Sequence, residues 1–205
     1  MLFRRRSYTS LEKIIKNCHL SERLNKMNIV YPFLKGLISI IPQQYEDERG
    51  CFWESFQDIR YGEIIKEKFV QDNISISKRG VIRGLHLQNS PNAQGKLVSV
   101  LRGAVLDVVV DVRTESPTFG QHFQIELNDT NRTQLYIPPG FAHGFQALED
   151  QSIFSYKCTN YYSSNAEVTI LWNDPVLNIK WPLDIQIVSE KDQKGITFSE
   201  FKSPF

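Results

Sequence analysis

Cysteine is scarce in this chain: Cys18, Cys51 and Cys158 are its three, with no C-x-x-C pair and no even-numbered framework. A disulfide scaffold is thereby excluded, and such sparse usage suits a reducing compartment, so a cytoplasmic location is expected. Long apolar runs are missing too. None approaches the roughly 18 residues that a membrane-spanning helix needs, and the mean hydropathy of −0.32 agrees. Charge of one sign is not in excess either. The 24 Lys and Arg against 23 Asp and Glu leave a formal +1, which argues against a broad basic face of the kind that holds nucleic acid. A small anionic ligand remains compatible with that balance. At 205 residues the chain can bury the core of one domain and has little room for a second catalytic module.

What is present changes character near residue 27. After Arg4-Arg5-Arg6, Thr9 and Glu12 form a T-x-x-E capping box, and Leu11, Ile14, Ile15 and Cys18 recur at i, i+3, i+4 and i+7. This spacing predicts a short amphipathic helix. Glu12, Lys13, Lys16 and Asn17 interrupt it, so it lacks the apolar stretch of a secretory signal. Residues 1–26 are therefore expected to be an amino-terminal helical extension, and residues 27–205 the functional domain.

Within the domain, strand periodicity takes over. Leu97, Val98, Val100 and Leu101 lead to Arg102-Gly103, after which Ala104, Leu106, Val108, Val110 and Val112 alternate with Val105, Asp107, Val109 and Asp111. Two antiparallel strands joined by a tight turn are the expectation. Further short β-rich runs at 121–127, 134–137, 144–148, 153–159 and 168–172 are separated by Asn, Asp, Pro, Gly and Ser clusters. Many short strands so spaced predict an all-β sandwich or barrel. Inside the domain only residues 59–69 read as a short helix.

Two segments concentrate chemistry-bearing side chains. Arg83-Gly84-Leu85-His86-Leu87-Gln88 precedes Gln94-Gly95-Lys96 closely, which brings Arg, His and Lys into one stretch. Pointed inward, such groups need anionic partners or an anionic ligand, because burying an uncompensated charge costs several kcal/mol. Pointed outward, Arg83 and Lys96 would be ordinary surface charges and His86 a hydrogen-bonded core residue. The second segment, Pro138-Pro139-Gly140-Phe141-Ala142-His143-Gly144-Phe145, carries the P-x-G-x-x-H spacing of the second cupin motif. Metal-binding cupins place an H-x-H in the first motif, whereas this chain reads His86-Leu87-Gln88 there. Two histidines without a carboxylate at ligand spacing make a weak metal site, and no metal is expected.

With these segments in view, the chain resembles the dTDP-4-dehydrorhamnose 3,5-epimerases, cofactor-free cupins of nucleotide-sugar metabolism. The resemblance rests on segments in the family's order. They begin with Asp47-Glu48-Arg49-Gly50-Cys51-Phe52-Trp53-Glu54, Phe69-Val70-Gln71-Asp72-Asn73 and the Arg83 and Lys96 segments. Ser116-Pro117-Thr118-Phe119-Gly120, residues 138–145, Tyr156-Lys157-Cys158-Thr159-Asn160-Tyr161-Tyr162 and Leu171-Trp172-Asn173-Asp174-Pro175 complete them. Together they run from about residue 28 to about residue 193. Cys51 and Leu87 stand where an aromatic is expected in many relatives.

The resemblance implies a cupin-type β jelly roll in a homodimer, a dTDP-4-keto-6-deoxyhexose substrate and no cofactor. It implies inversion at C3 and C5, the carbons flanking one C4 ketone, in the biosynthesis of dTDP-L-rhamnose for polysaccharide. By the same resemblance His86 is the base, oriented by Asp192, Lys96 stabilises the enolate oxygen, and Tyr156 is the acid on the opposite face. Asp107 is a candidate to hold the Lys96 ammonium. Arg49, Arg83 and Lys191 are the implied cations for the diphosphate, and Tyr162 the ring that stacks on the base. His143, Glu54, Gln71, Asn73 and Glu167 are the implied polar contacts, some of them reaching the partner subunit's site. Epimerisation at C3 alone, or a non-catalytic sugar-binding jelly roll, are the competing expectations.

Overall fold

The chain's structure, a computed structural model, describes residues 27–205; the helix expected over residues 1–26 lies outside them. Among the described residues no helix is long and apolar enough to cross a membrane. Strands dominate, with helices of only four residues each: α1 (Asp58–Tyr61) and α2 (Glu190–Gln193). The helix expected over 59–69 is thus much shorter. Gln57 caps it, its side chain accepting from the Arg60 N–H, and it ends at Gly62.

Two compact units divide the described residues: residues 27–28 with 42–66, and residues 29–41 with 67–205. The smaller holds the hairpin of β3 (Gln44–Asp47) and β4 (Gly50–Trp53), whose register pairs Gln44 with Trp53 and Asp47 with Gly50. Gly50 has φ +123°, which a turn can ask of glycine at little cost. Phe56 packs on the buried Tyr61 with ring centroids 4.9 Å apart.

Two main sheets belong to the larger unit, apart from Met27, Asn28 and Pro42 at the ends of two strands. One runs in the order β1 (Met27–Val30), β2 (Ile38–Pro42), β10 (Gln134–Ile137), β7 (Lys96–Arg102), β12 (Ser152–Cys158), β5 (Gln71–Ser77). The other runs β13 (Glu167–Thr169), β6 (Val81–Gln88), β11 (Phe141–Ala147), β8 (Ala104–Asp111), β9 (His122–Asn128), with β14 (Ile187–Val188) parallel to β6. The expected strands around Arg102-Gly103 both form, but they do not pair with one another. β7 belongs to the first sheet and β8 to the second, so the turn is a corner between sheets. The apolar content of both strands explains this: β8 is buried along nearly its whole length and needs cover on both faces. Gly103 makes the corner at φ +77°, and a Cβ there would lie 2.6 Å from the Ser152 Oγ.

Side chains from both sheets meet in one core cluster. Val98, Val100 and Phe154 come from the first sheet; Val105, Val109, Phe141 and Phe145 come from the second. The Phe145 and Phe154 rings stack across it with centroids 4.2 Å apart.

A polar knot ends β8. Asp111 is fully buried and accepts from Arg113 Nε at 2.8 Å and Nη2 at 2.7 Å, and from the Ser116 and Thr118 hydroxyls, each at 2.6 Å. Arg113 also lies over the Phe141 ring, 4.3 Å from its centroid. These bonds give the Ser116-Pro117-Thr118 segment a structural reason. Burial pushes the Asp111 carboxyl upward, but the bonds from Arg113, Ser116 and Thr118 outweigh it and hold the pKa at about 2. A folded-state pKa below the unfolded value contributes stability above the unfolded pKa, and that stability is lost as pH falls through about 2. Asp111→Asn should therefore cost about 2 kcal/mol at neutral pH, the scale of charge-assisted hydrogen bonds. Urea melts of the two proteins should converge between pH 4 and pH 2, within the window set by an ordinary value of 3.8 and a folded value of about 2. A gap that stayed constant with pH would remove the ionised carboxylate from this role.

Candidate active site

Between the two sheets of the larger unit lies a cavity of about 530 Å³. Its walls differ chemically because they come from different sheets. On the β6 and β11 side stand His86 and His143, which are register partners. On the opposing sheet, β7 supplies Lys96, and β12 supplies Tyr156 and Phe154. Strand periodicity accounts for the grouping: Tyr156 and Cys158, two residues apart, share a face, and they lie opposite Val98 and Lys96 in the β7 register.

The close approach of β6 and β11 is a glycine effect. Gly84 has φ +135°, and a Cβ on it would sit 2.5 Å from the Gly144 Cα and 2.9 Å from the His143 carbonyl oxygen. Any side chain at position 84 would thus push β11 away and separate the two histidines.

Each histidine has its own carboxylate. His86 Nε2 lies 2.6 Å from Asp192 Oδ1, a pair 106 residues apart in sequence. Asp192 is buried on α2, whose N-cap Ser189 accepts from the Asp192 N–H at 3.1 Å, and its Oδ2 accepts from the Gly84 N–H at 3.3 Å. Burial pushes the Asp192 carboxyl upward, but the bonds from His86, Gly84 and Ser189 bring it below its ordinary value. An ionised Asp192 accepts the Nε2 proton of His86, which leaves the lone pair on Nδ1.

The second pair was not read from the sequence. His143 Nε2 lies 2.8 Å from Asp107 Oδ2, and both residues are buried. Burial lowers the His143 pKa against the opposing pull of Asp107. Asp107 was a candidate to hold Lys96; its short bond goes to His143 instead. Its influence on Lys96 is through space, and its Oδ1 has no hydrogen-bond partner among the described residues. The buried Asp in an otherwise apolar β8 was the available signal, because such a carboxylate requires a partner.

The Lys96 ammonium has no ion pair or hydrogen bond among the described residues, and burial lowers its pKa, opposed by Cys158, Asp107 and Glu167. Tyr156 has its pKa raised, chiefly by burial, so its phenol keeps its proton. Arg83 Nε donates to the Ser77 Oγ at 3.1 Å at the cavity edge.

A second cavity of about 200 Å³ shares His86, Lys96, Tyr156 and Glu167 with the first and adds Gln71, Asn73 and Tyr162. Glu167 joins its rim. Lys191 Nζ lies 2.6 Å from Glu167 Oε1, and the Tyr162 hydroxyl donates to Oε2 at 2.8 Å. Among the sequence-predicted residues, Arg49 and Glu54 line neither cavity. They belong to the smaller unit, where Arg49 binds Asp47 and Glu54 binds Arg60. No cluster of three or more His, Cys, Asp or Glu that could hold a metal ion occurs among the described residues.

Fold and site together define a cupin-type jelly roll with an acid–base interior, in which imidazoles paired to carboxylates face a lysine and a tyrosine across one cavity. The family model of dTDP-4-dehydrorhamnose 3,5-epimerase matches residues 33–200. The chain belongs to this family of isomerases. It is 46% identical over 174 residues to the dTDP-4-dehydrorhamnose 3,5-epimerase of Shigella flexneri, covering 84% of this chain and 96% of that protein. It is 37% identical to the dTDP-4-dehydrorhamnose 3-epimerase of Streptomyces niveus, covering 82% of each. Among solved structures, it is similar to the dTDP-6-deoxy-D-glucose-3,5-epimerase of Legionella pneumophila in complex with dTDP-4-keto-L-rhamnose. That match has a TM-score of 0.83 and 49% identity and covers 86% of this chain and 95% of that one. Membership in an isomerase family sets aside the non-catalytic sugar-binding alternative.

Proposed function

We propose that this chain inverts C3 and C5 of dTDP-4-keto-6-deoxy-D-glucose through enolate intermediates, giving dTDP-4-keto-L-rhamnose. The observation that carries the reading is the opposition of two proton-transfer groups. His86 with Asp192 stands on one sheet and Tyr156 on the other, with Lys96 on the Tyr156 side. His86 Nδ1 takes the proton from C3, and the C–H electron pair moves into the ring to leave the charge on the C4 oxygen. The Lys96 ammonium stabilises that oxygen. The Tyr156 hydroxyl then delivers a proton to the far face of C3, which inverts it; solvent water takes the abstracted proton from the His86 imidazolium and returns one to the Tyr156 phenolate, so both groups are reset. C5 flanks the same ketone, so a second passage through the same groups inverts it. The residues themselves supply the acid, the base and the oxyanion partner that these steps require.

The nucleotide half of the substrate fits the second cavity, with Tyr162 stacking on the base and Gln71, Asn73 and Glu167 as polar contacts. Arg83 and Lys191 are the diphosphate cations, with His143 as a contact to sugar or phosphate. Arg49 and Glu54 act on the neighbouring site of a homodimer, which makes two subunits a condition of activity.

Tyr156→Phe is the discriminating variant. In deuterium oxide the His86 side should still exchange the C3 proton for deuterium, while inversion falls by about a hundredfold, the usual worth of a positioned acid. Proton NMR of the sugar reads both events. Unimpaired double epimerisation by Tyr156→Phe would leave this residue as mere packing. A second reading, inversion at C3 alone, is favoured by the similarity to the 3-epimerase of Streptomyces niveus. In the same spectra it is recognised by a C5 proton that never exchanges.

A further inference from the structure

Gln88 is buried at the end of β6, in the place where the sequence lacks a second imidazole, and the proposed reaction gives it no task. Its side-chain amide nevertheless has every hydrogen-bonding group in use. Nε2 donates to the Asn92 carbonyl at 2.7 Å and to the Tyr161 carbonyl at 3.3 Å, and Oε1 accepts from the Ser163 N–H at 2.7 Å. Two of those bonds bracket Tyr162. The Tyr162 N–H itself donates to Gln71 Oε1 at 3.0 Å.

From this arrangement we infer that Gln88 is a positioning residue for nucleotide recognition: it fixes the backbone on both sides of Tyr162 and so holds that ring ready for the base. The inference rests on the proposed stacking role of Tyr162. Chemistry at position 88 is demanding. An amide offers two N–H donors and an acceptor on one plane, which matches two carbonyls and one N–H. A carboxylate would set charge against two carbonyl oxygens, and an apolar side chain would take the side-chain partner from three backbone groups around Tyr162. Tyr162 is itself exposed, and its hydroxyl is held only by Glu167 among the described residues. Order in this ring therefore comes from that one bond at its tip and from the backbone that carries it. A ring fixed before the ligand arrives loses less conformational freedom on binding, which strengthens association.

The test compares Gln88→Met, Tyr162→Ala and the double variant in the full chain, using dTDP and inorganic pyrophosphate as probes in calorimetry. Base stacking on an aromatic ring is worth roughly 5- to 150-fold in affinity, so losing the fixed orientation in Gln88→Met should weaken dTDP by about tenfold. Pyrophosphate, which has no base, should bind within about twofold of wild type. The double variant should bind dTDP no more weakly than Tyr162→Ala, because Gln88 acts through Tyr162. With the sugar substrate, KM should rise by about tenfold and kcat fall much less. Should Gln88→Met fail to fold, Gln88→Asn, whose amide is one methylene too short to reach all three partners, is read in the same way. Wild-type dTDP affinity in the position-88 variant, with Tyr162→Ala impaired, overturns the proposal alone. So does equal weakening of dTDP and pyrophosphate. Wild-type affinity in Tyr162→Ala overturns the proposal together with the stacking role beneath it.

Discussion

His86→Asn should lower the rate of proton exchange at both C3 and C5 by about 10³-fold, within the range expected for removal of a general base. Asparagine retains an N–H for Asp192, so the buried carboxylate keeps a partner and the fold is spared the cost of an orphaned charge. The lone pair facing the sugar is lost. Because one base serves both carbons in the proposed mechanism, the two exchange rates should fall together. A variant in which only one rate fell would require a second base, and His143 with its Asp107 would be the nearest candidate. Asp192→Asn should have the smaller effect, since it removes the charge that orients the ring and leaves the base itself in place. Single-turnover NMR in deuterium oxide, with dTDP affinity measured alongside, separates loss of chemistry from loss of binding.

Lys96→Met should reduce turnover by about 10²- to 10³-fold, the scale of losing one preorganised oxyanion donor. The physical reason lies in how the ammonium is held. The Lys96 ammonium makes no ion pair or hydrogen bond among the described residues, and burial lowers its pKa, so the folded protein carries a poorly compensated cation site beside the cavity. In the proposed mechanism an enolate oxygen supplies the missing partner, whereas the neutral ketone of the ground state does so only weakly. The variant should therefore lose kcat far more than affinity. Methionine has a similar reach and no charge, and removing a buried cation without its own counter-ion should not destabilise the protein. Denaturant melts would check that expectation, and turnover within a few-fold of wild type would end the oxyanion role for Lys96.

Residue types and local spacing marked part of this site, and the resemblance supplied the rest, Tyr156, Asp192 and the nucleotide contacts among them. The Arg83 to Gln88 and Gln94 to Lys96 segments marked where buried cations and an imidazole would need partners, and residues 138–145 marked the second histidine. What local spacing does not contain is direction. The same alternation that predicted β7 and β8 fits a hairpin or a corner equally well. Only the need to cover β8 on both faces sends the two strands to different sheets and puts Lys96 opposite His86. Asp192 was matched through resemblance, and nothing around it in the sequence says that it is buried. Its contact with His86 depends on a four-residue helix, a serine cap and a glycine 108 residues away. The Asp107 and His143 pair was missed for a related reason. Asp107 was read as the partner of Lys96, the expected charge, but the register of β8 with β11 sets it opposite Phe145, and its carboxylate meets His143 diagonally, two positions along the same face.

The sequence by itself determined the class of chain: β-rich, with little capacity for disulfides, no membrane-length apolar run, and histidine, lysine and tyrosine in motifs of one epimerase family. Those are properties of composition and short-range order, which any segment carries with it. The tertiary structure decided that Asp107 faces His143 and that His86 and Tyr156 stand on facing sheets, and it brings the Asp192 matched by resemblance to His86. Such pairings join residues up to about a hundred positions apart, and they exist only when two sheets close over a common core.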